Sequence, residues 1–207
     1  MDDRSVLLTI AAADWLSLII PGPNFVLVTT EAIRRSRLHG LAAGLGIVAG
    51  NLAWCLFVIF GLEAAFRHDP WLSPALRMAG AAYLMFLGVR LWRGAGKPRS
   101  AADTDAGPAK LGGAFGYGVL ISITNPTAVA YYAGVFSALL EPSDPTWLLV
   151  AAVSLICFNS IVWNTLLSFL FSTDRAQELY RGWAKPITYV AALFMLGFGI
   201  KVALSAS

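Results

Sequence analysis

Pro21-Gly22-Pro23-Asn24 stands inside an apolar run from Val6 to Ile33, and Asn125-Pro126 repeats the interruption in the second half of the chain. Each proline removes a backbone donor and clashes with the preceding turn, so a helix that carries one must kink or break there. A break exposes backbone N–H and C=O groups. In hydrocarbon such groups are tolerated only where protein or a wet cavity surrounds them. A half-helix that starts at the break aims its amides and the positive end of its dipole inward, where a carboxylate can be held. Two breaks at corresponding places in two halves of a membrane chain point to the central site of a transporter.

The composition around the motif is that of an integral membrane protein. Of 207 residues, 57% are hydrophobic and 13% charged, with a mean hydropathy of +0.68, which is too apolar for an ordinary soluble domain. A net charge of +3 and a pI near 9.0 would admit nucleic acid as a partner. The basic residues, however, gather at the ends of apolar runs instead of lining one polar face. The sequence therefore predicts a lipid bilayer as its surroundings and no nucleic acid. Met1-Asp2-Asp3-Arg4 lacks the positive flank of a secretory signal, and the run behind it is longer than a signal core. The first span is expected to be retained.

Six transmembrane spans are expected in an all-α membrane protein. Span one, Ser5 to Arg34, would measure roughly 45 Å as one helix against a hydrocarbon core of ~30 Å, which leaves room for the break. Span two runs from Gly40 to Leu62, and its Gly40/Gly44 and Gly46/Gly50 pairs have the small-xxx-small spacing that lets another helix approach. That neighbour could lie in the same chain or in a second copy, so a homo-oligomer is open. A polar loop, Glu63 to Ser73, leads to span three, Pro74 to Trp92. Spans four (Ala114 to Leu140), five (Trp147 to Phe171) and six (Pro186 to Ala203) follow, with a polar loop from Ser172 to Lys185. Trp71, Trp92, Trp147 and Trp183 fall at expected boundaries, as an aromatic belt would.

The stretch 94–113 is rich in Gly, Ala, Pro and charge without apolar periodicity, which predicts a flexible linker between a first repeat, 1–93, and a second, 114–207. The halves match in order. Ala81-Ala82-Tyr83-Leu84-Met85 through Gly88-Val89-Arg90-Leu91 resembles Ala192-Leu193-Phe194-Met195 through Gly199-Ile200-Lys201-Val202, and Asn51 with Trp54 in span two answers Asn159 with Trp163 in span five. Three spans is an odd number, so the repeats must lie inverted in the membrane, with helices one and four broken at the proline motifs. Basic residues set the orientation. Arg34, Arg35, Arg37, Arg90, Arg93, Lys97, Arg99, Lys110, Arg175, Arg181 and Lys185 share one side, leaving only Arg4, Arg67, Arg77 and Lys201 of the 15 for the other. The linker is then cytoplasmic and both termini lie outside.

Asn51 lies roughly 16 Å from the start of span two and Asn159 roughly 20 Å from the start of span five, which puts both near the midplane. With Asn24 and Asn125 at the breaks, four amides, each able to donate and accept, fall at one depth. They either tie helices together or form a wet polar site; Pro21, Gly22, Pro23, Asn24, Asn51, Asn125, Pro126 and Asn159 are the candidate substrate-binding residues. Ionisable groups inside a membrane mark pathways and proton relays by default. Asp14 is the proton-coupling candidate, while Glu31 and Glu63 are expected to be interfacial and solvated. Tyr131 and Tyr132, just past the second break, either line the cavity or pack. Cys55 and Cys157 are expected to be buried thiols without a disulfide. His39 and His68 have no Cys beside them and stand too far apart to suggest a metal site. No cofactor, metal or catalytic arrangement is predicted, and the chain reads as no enzyme.

Pro21-Gly22-Pro23-Asn24 in span one, Gly80-Ala81-Ala82-Tyr83-Leu84 with Gly88 in span three and Thr124-Asn125-Pro126 in span four resemble the LysE/RhtB family of amino-acid exporters. The resemblance covers nearly the whole chain. It implies six spans in the bacterial cytoplasmic membrane and proton-driven efflux of amino acids or their derivatives. Members often have Lys after the Asn-Pro, where this chain has Thr127, and some have an acid near the position of Asn159. Losing both charges predicts a midplane without formal charge. A neutral or apolar amino acid is then favoured over lysine or arginine, whose cation would want a carboxylate partner. Two rival classes are a membrane thiol oxidoreductase of similar inverted-repeat plan, which needs reactive cysteines at the breaks, and a metal-ion exporter, which needs carboxylates or histidines at the midplane.

Overall fold

The structure, a computed structural model, describes residues 2–20, 22–68, 72–94, 110–140, 144–170 and 174–206. These form eight helices: α1 (Asp3–Ile19), α2 (Pro23–Arg34), α3 (Arg37–His68), α4 (Leu72–Gly94), α5 (Leu111–Thr124), α6 (Pro126–Leu139), α7 (Thr146–Leu170) and α8 (Asp174–Ala206). Pro21, most of the expected linker (95–109) and residues 141–143 lie outside the described residues, as do the side chains of Glu63, Arg67, His68, Pro126, Thr127, Asp174, Arg175 and Arg181.

Helix α1 stops at Ile19, with Ile20 extended (φ −69°, ψ 130°). Gly22, also extended (φ −131°, ψ −175°), leads into α2, which has Pro23 in its first turn, where a missing N–H costs nothing. The two helices meet at 56°. The second interruption is a single residue. Asn125 is extended (φ −77°, ψ 104°), and its N–H reaches back to the carbonyl of Ser122 at 3.3 Å. A residue before proline is pushed away from helical ψ, and α6 begins at Pro126 itself.

Two expected loops are helical over their described residues. Residues 63–68 continue α3, and α8 begins at Asp174 rather than at Pro186, which sits inside it. Hydropathy marks where hydrocarbon ends, whereas a helix needs only its own backbone hydrogen bonds to run on into water. Proline at 186 forfeits one such bond without ending the helix. Likewise Gly94 belongs to α4, and Leu111 to Gly113 belong to α5. Among the described residues, Arg37–Gly61 and Thr146–Leu170 are each long and apolar enough to cross a membrane, and α1 with α2 passes the same test as a bent pair. Helices α5 and α6, at 14 residues each, span only about 21 Å apiece, and α4 carries Arg90 and Arg93 at its end.

Close approaches between backbones give the helix directions. A Cβ on Gly46 would strike the carbonyl of Phe115, one on Gly50 would meet Ser122, and one on Gly118 would strike the carbonyl of Ala43; α3 and α5 therefore run parallel. Gly40 faces Ser168 and Gly44 faces Asn164, so α3 and α7 are antiparallel. The two glycine pairs of span two thus serve different neighbours within one chain, Gly40/Gly44 admitting α7, with Ala32 of α2 also against Gly40, and Gly46/Gly50 admitting α5. In α4 and α8 the contacts are reciprocal. Gly88 faces the carbonyl of Ala192 and the side chain of Leu196; Gly199 faces the carbonyl of Ala81 and the side chain of Met85. Each position and its counterpart differ by 111 residues (81/192, 85/196, 88/199), and the two helices run antiparallel.

Two apolar clusters are buried between the helices. One joins Val6, Ile10 and Ala13 of α1 to Cys55, Val58, Tyr131, Tyr132, Leu148, Ala152 and Ile156, and takes in Ala81, Leu84 and Met195 of α4 and α8. The other joins Leu27 and Val28 of α2 to Ala43, Ile47, Ala114 and Leu167. The second lies toward the end that carries Arg34 and Arg37, where the Arg37 guanidinium stands 5.8 Å from the ring centre of Phe169. Trp92, Trp147 and Trp183 are exposed near helix ends or, in α8, at the expected boundary.

Candidate functional site

Along both α3 and α7 the buried residues run apolar, polar, apolar. On α3 Ala43 and Ile47 give way to Asn51 and then Cys55; on α7 Ile156 gives way to Asn159, Ser160 and Asn164 and then Leu167. The polar residues form a layer between the two clusters. Ser122 of α5 donates its hydroxyl to Asn51 Oδ1 at 2.8 Å, and Asn51 Nδ2 donates to Ser160 Oγ at 3.3 Å. Asn164 Nδ2 donates to the carbonyl of Ser160 at 2.8 Å and to its hydroxyl at 3.2 Å. Ser168 closes the chain with a 2.8 Å bond to the carbonyl of Asn164. Such a network rigidifies a core when every member is satisfied.

Beside it, Asn159 Nδ2 donates to Asp14 Oδ2 at 3.1 Å. Asp14 is 1% exposed. Helix α1 thus brings a carboxyl against Asn159, the position at which the sequence itself has no acid. The reason is topological, since α1 and α7 run parallel in contact, with Trp15, one residue further along α1, edge-on at 6.1 Å to Trp163, four residues further along α7. Glu31 departs from expectation. It is fully buried, not solvated, with Oε2 3.4 Å from Arg35 Nε one turn away, and its carbonyl accepts the N–H of Arg35 and of Ser36 at 3.2 Å each. A buried carboxylate needs such a partner.

Of the four asparagines, the structure brings Asn51 and Asn159 into the layer. Asn125 caps α5 one turn beyond Ser122, and Asn24 opens α2. Asn24 Oδ1 is buried without a hydrogen-bond partner among the described residues, as are Tyr131 Oη, Trp54 Nε1 and Trp163 Nε1. Tyr131 and Tyr132 are both buried, rings 5.2 Å apart. Cys55 is buried and Cys157 half-buried, both as free thiols. Among the described residues no three His, Cys, Asp or Glu side chains gather at one place. Ser122, Ser160, Asn164 and Ser168 were not among the expected site residues. Their signal is the spacing 160, 164, 168 on α7, a polar stripe on one face of an apolar helix.

A helical membrane protein with interrupted helices and a polar layer sealed between apolar clusters belongs to the class built to pass a polar solute through a bilayer. The chain belongs to the LysE type translocator family, whose family model matches residues 16–206. It is 31% identical over 200 residues to the threonine efflux protein of Escherichia coli K12, covering 96% of this chain and 97% of that protein. The threonine efflux protein of Salmonella typhi is 30% identical over 199 residues (95% and 97%). The leucine efflux protein of Salmonella choleraesuis is 24% identical over 197 residues, covering 90% of this chain and 89% of the relative. No solved structure matches.

Proposed function

We propose that this protein exports amino acids, neutral ones in preference, from the bacterial cytoplasm by alternating access, with inward proton movement as the drive. The observation that carries the reading is the buried polar layer between two apolar clusters. The preference for neutral substrates draws on relatives named for threonine and leucine efflux. Six spans in two inverted repeats are supported by the helix directions and by the reciprocal Gly88/Gly199 crossing, since a twofold axis across antiparallel helices lies in the membrane plane. The basic end, with Arg34, Arg37 and Lys110, faces the cytoplasm.

The substrate carboxylate is held at the amide ends of α2 and α6 and its ammonium by Asn side chains, while the halves rock about the layer. Asp14 is the proton carrier, because the hydrogen bond from Asn159 orients its carboxyl inside the polar layer. The test is efflux of labelled amino acids, threonine and leucine among them, from loaded proteoliposomes with and without a pH gradient. Gradient-dependent loss of a neutral class, absent in Asn24→Leu and Asn125→Leu, is expected. Full efflux by either variant would remove the breaks from the site, and no movement of any amino acid would remove the exporter. The oxidoreductase alternative needs reactive cysteines at the breaks, whereas Cys55 and Cys157 lie within α3 and α7 and asparagines stand beside the break prolines.

A further inference from the structure

Four buried polar atoms are left without partners among the described residues, and they fall into two sets. Trp163 packs on the cluster of the basic end, as does Phe25, whose neighbour Asn24 opens α2. Trp54 packs on the other cluster, to which Tyr131 belongs. An indole N–H can only donate, an amide oxygen only accepts and a phenol does both. Each set therefore offers a donor and an acceptor, and the two tryptophans pack on clusters that lie on opposite sides of the Asn51–Asn159 layer. A buried donor left without an acceptor destabilises the fold, and two tryptophans three and four residues beyond the paired asparagines both carry one.

The geometry points to two substrate stations, Trp163 with Asn24 on the basic side and Trp54 with Tyr131 on the opposite side, at which the indole N–H receives the carboxylate of an α-amino acid and the oxygen its ammonium. This rests on the exporter reading and adds where the substrate waits before and after crossing the layer. The packing is consistent with the pairing. Helix α7 touches α2 and α3 touches α6, so each tryptophan's helix lies against the half-helix that supplies its partner. The polar layer itself is internally bonded, and the stations are where unmet hydrogen-bonding capacity remains.

Inside-out and right-side-out membrane vesicles separate the two faces. Zero-trans flux of labelled L-threonine and L-leucine is measured from each face for wild type, Trp163→Phe and Trp54→Phe, with melting temperature as a check that ring packing survives. Trp163→Phe is expected to raise KM about tenfold or more from the basic face and to leave the other face unchanged. Trp54→Phe does the reverse. Tyr131→Phe, which removes one oxygen, repeats the second result independently. Amino-acid amides, which lack the carboxylate, compete equally in wild type and both tryptophan variants. Unchanged KM values in a transporting protein, or equal changes from both faces, overturn the stations and leave the exporter standing. Wild-type vesicles that move neither amino acid overturn both.

Discussion

Asn159 and Asn51 stand 108 residues apart, and each reaches a helix that ends at an interruption. Asn159 donates to Asp14 of α1, Asn51 accepts from Ser122 of α5, and positions 14 and 122 are again 108 apart. The two contacts are equivalent in placement and unlike in chemistry. One holds a carboxyl, which can take up and release a proton; the other holds a hydroxyl, which stays neutral. Where a chain builds the same contact twice, the position at which the pair differs is where directionality can enter. The breaks differ as well. Asp14 lies nine residues before Pro23, Ser122 four before Pro126, so the carboxyl is set deeper behind its break than the hydroxyl.

The largest expected effect sits on that difference. Asp14→Asn reduces pH-gradient-driven efflux from proteoliposomes to the empty-liposome level while exchange at zero gradient persists. Gradient-driven efflux at the wild-type rate would move proton coupling elsewhere. Next comes the α3 and α5 crossing that places Ser122 against Asn51. Gly46→Val drives a side chain into the Phe115 carbonyl, at an overpacking cost of about 1–3 kcal/mol or more, and should lower the melting temperature in detergent by several degrees. Gly116→Ala, with no atom within 4 Å of the added carbon, should not move it. A third experiment asks whether the correspondence of halves extends to α4 and α8: Gly88→Ala and Gly199→Ala should lower the melting temperature by equal amounts. Unequal losses would weaken the repeat. Ser122→Ala removes one neutral hydrogen bond, costs about 1 kcal/mol of stability and keeps the gradient response, in contrast with Asp14→Asn. Smallest of all, Cys55→Ala with Cys157→Ala should leave the efflux rate unchanged.

The ends of α1 at Ile19 and of α5 before Pro126, the polar residues at 51 and 159 and the glycine pairs of span two were legible because each is a local signal: a missing donor, a polar residue in an apolar run, a small residue at helical spacing. The partner of Asp14 was not legible. Sequence fixes a residue's depth along its own helix, but which neighbour it meets depends on how α1 lies against α7, and no single-helix periodicity carries that. Glu31 could have been read differently, since Arg35 follows it at the i,i+4 spacing of a helical ion pair. Its burial, by contrast, depends on packing that α2 acquires only in the bundle. The ends of α3 and α8 were missed because hydropathy stops at the lipid boundary and the helices do not.

Helices α4 and α8 meet at a crossing in which each supplies the glycine that admits the other's carbonyl. A joint of that form is its own counterpart when turned end for end. If the halves rock as proposed, a lean of the pair toward one face would press Gly88 against Leu196 and a lean toward the other would press Gly199 against Met85, two approaches of near-equal distance. On the alternating-access reading proposed above, a fulcrum of this form adds no bias of its own, and a preference for one face would come from the chemistry the halves do not share.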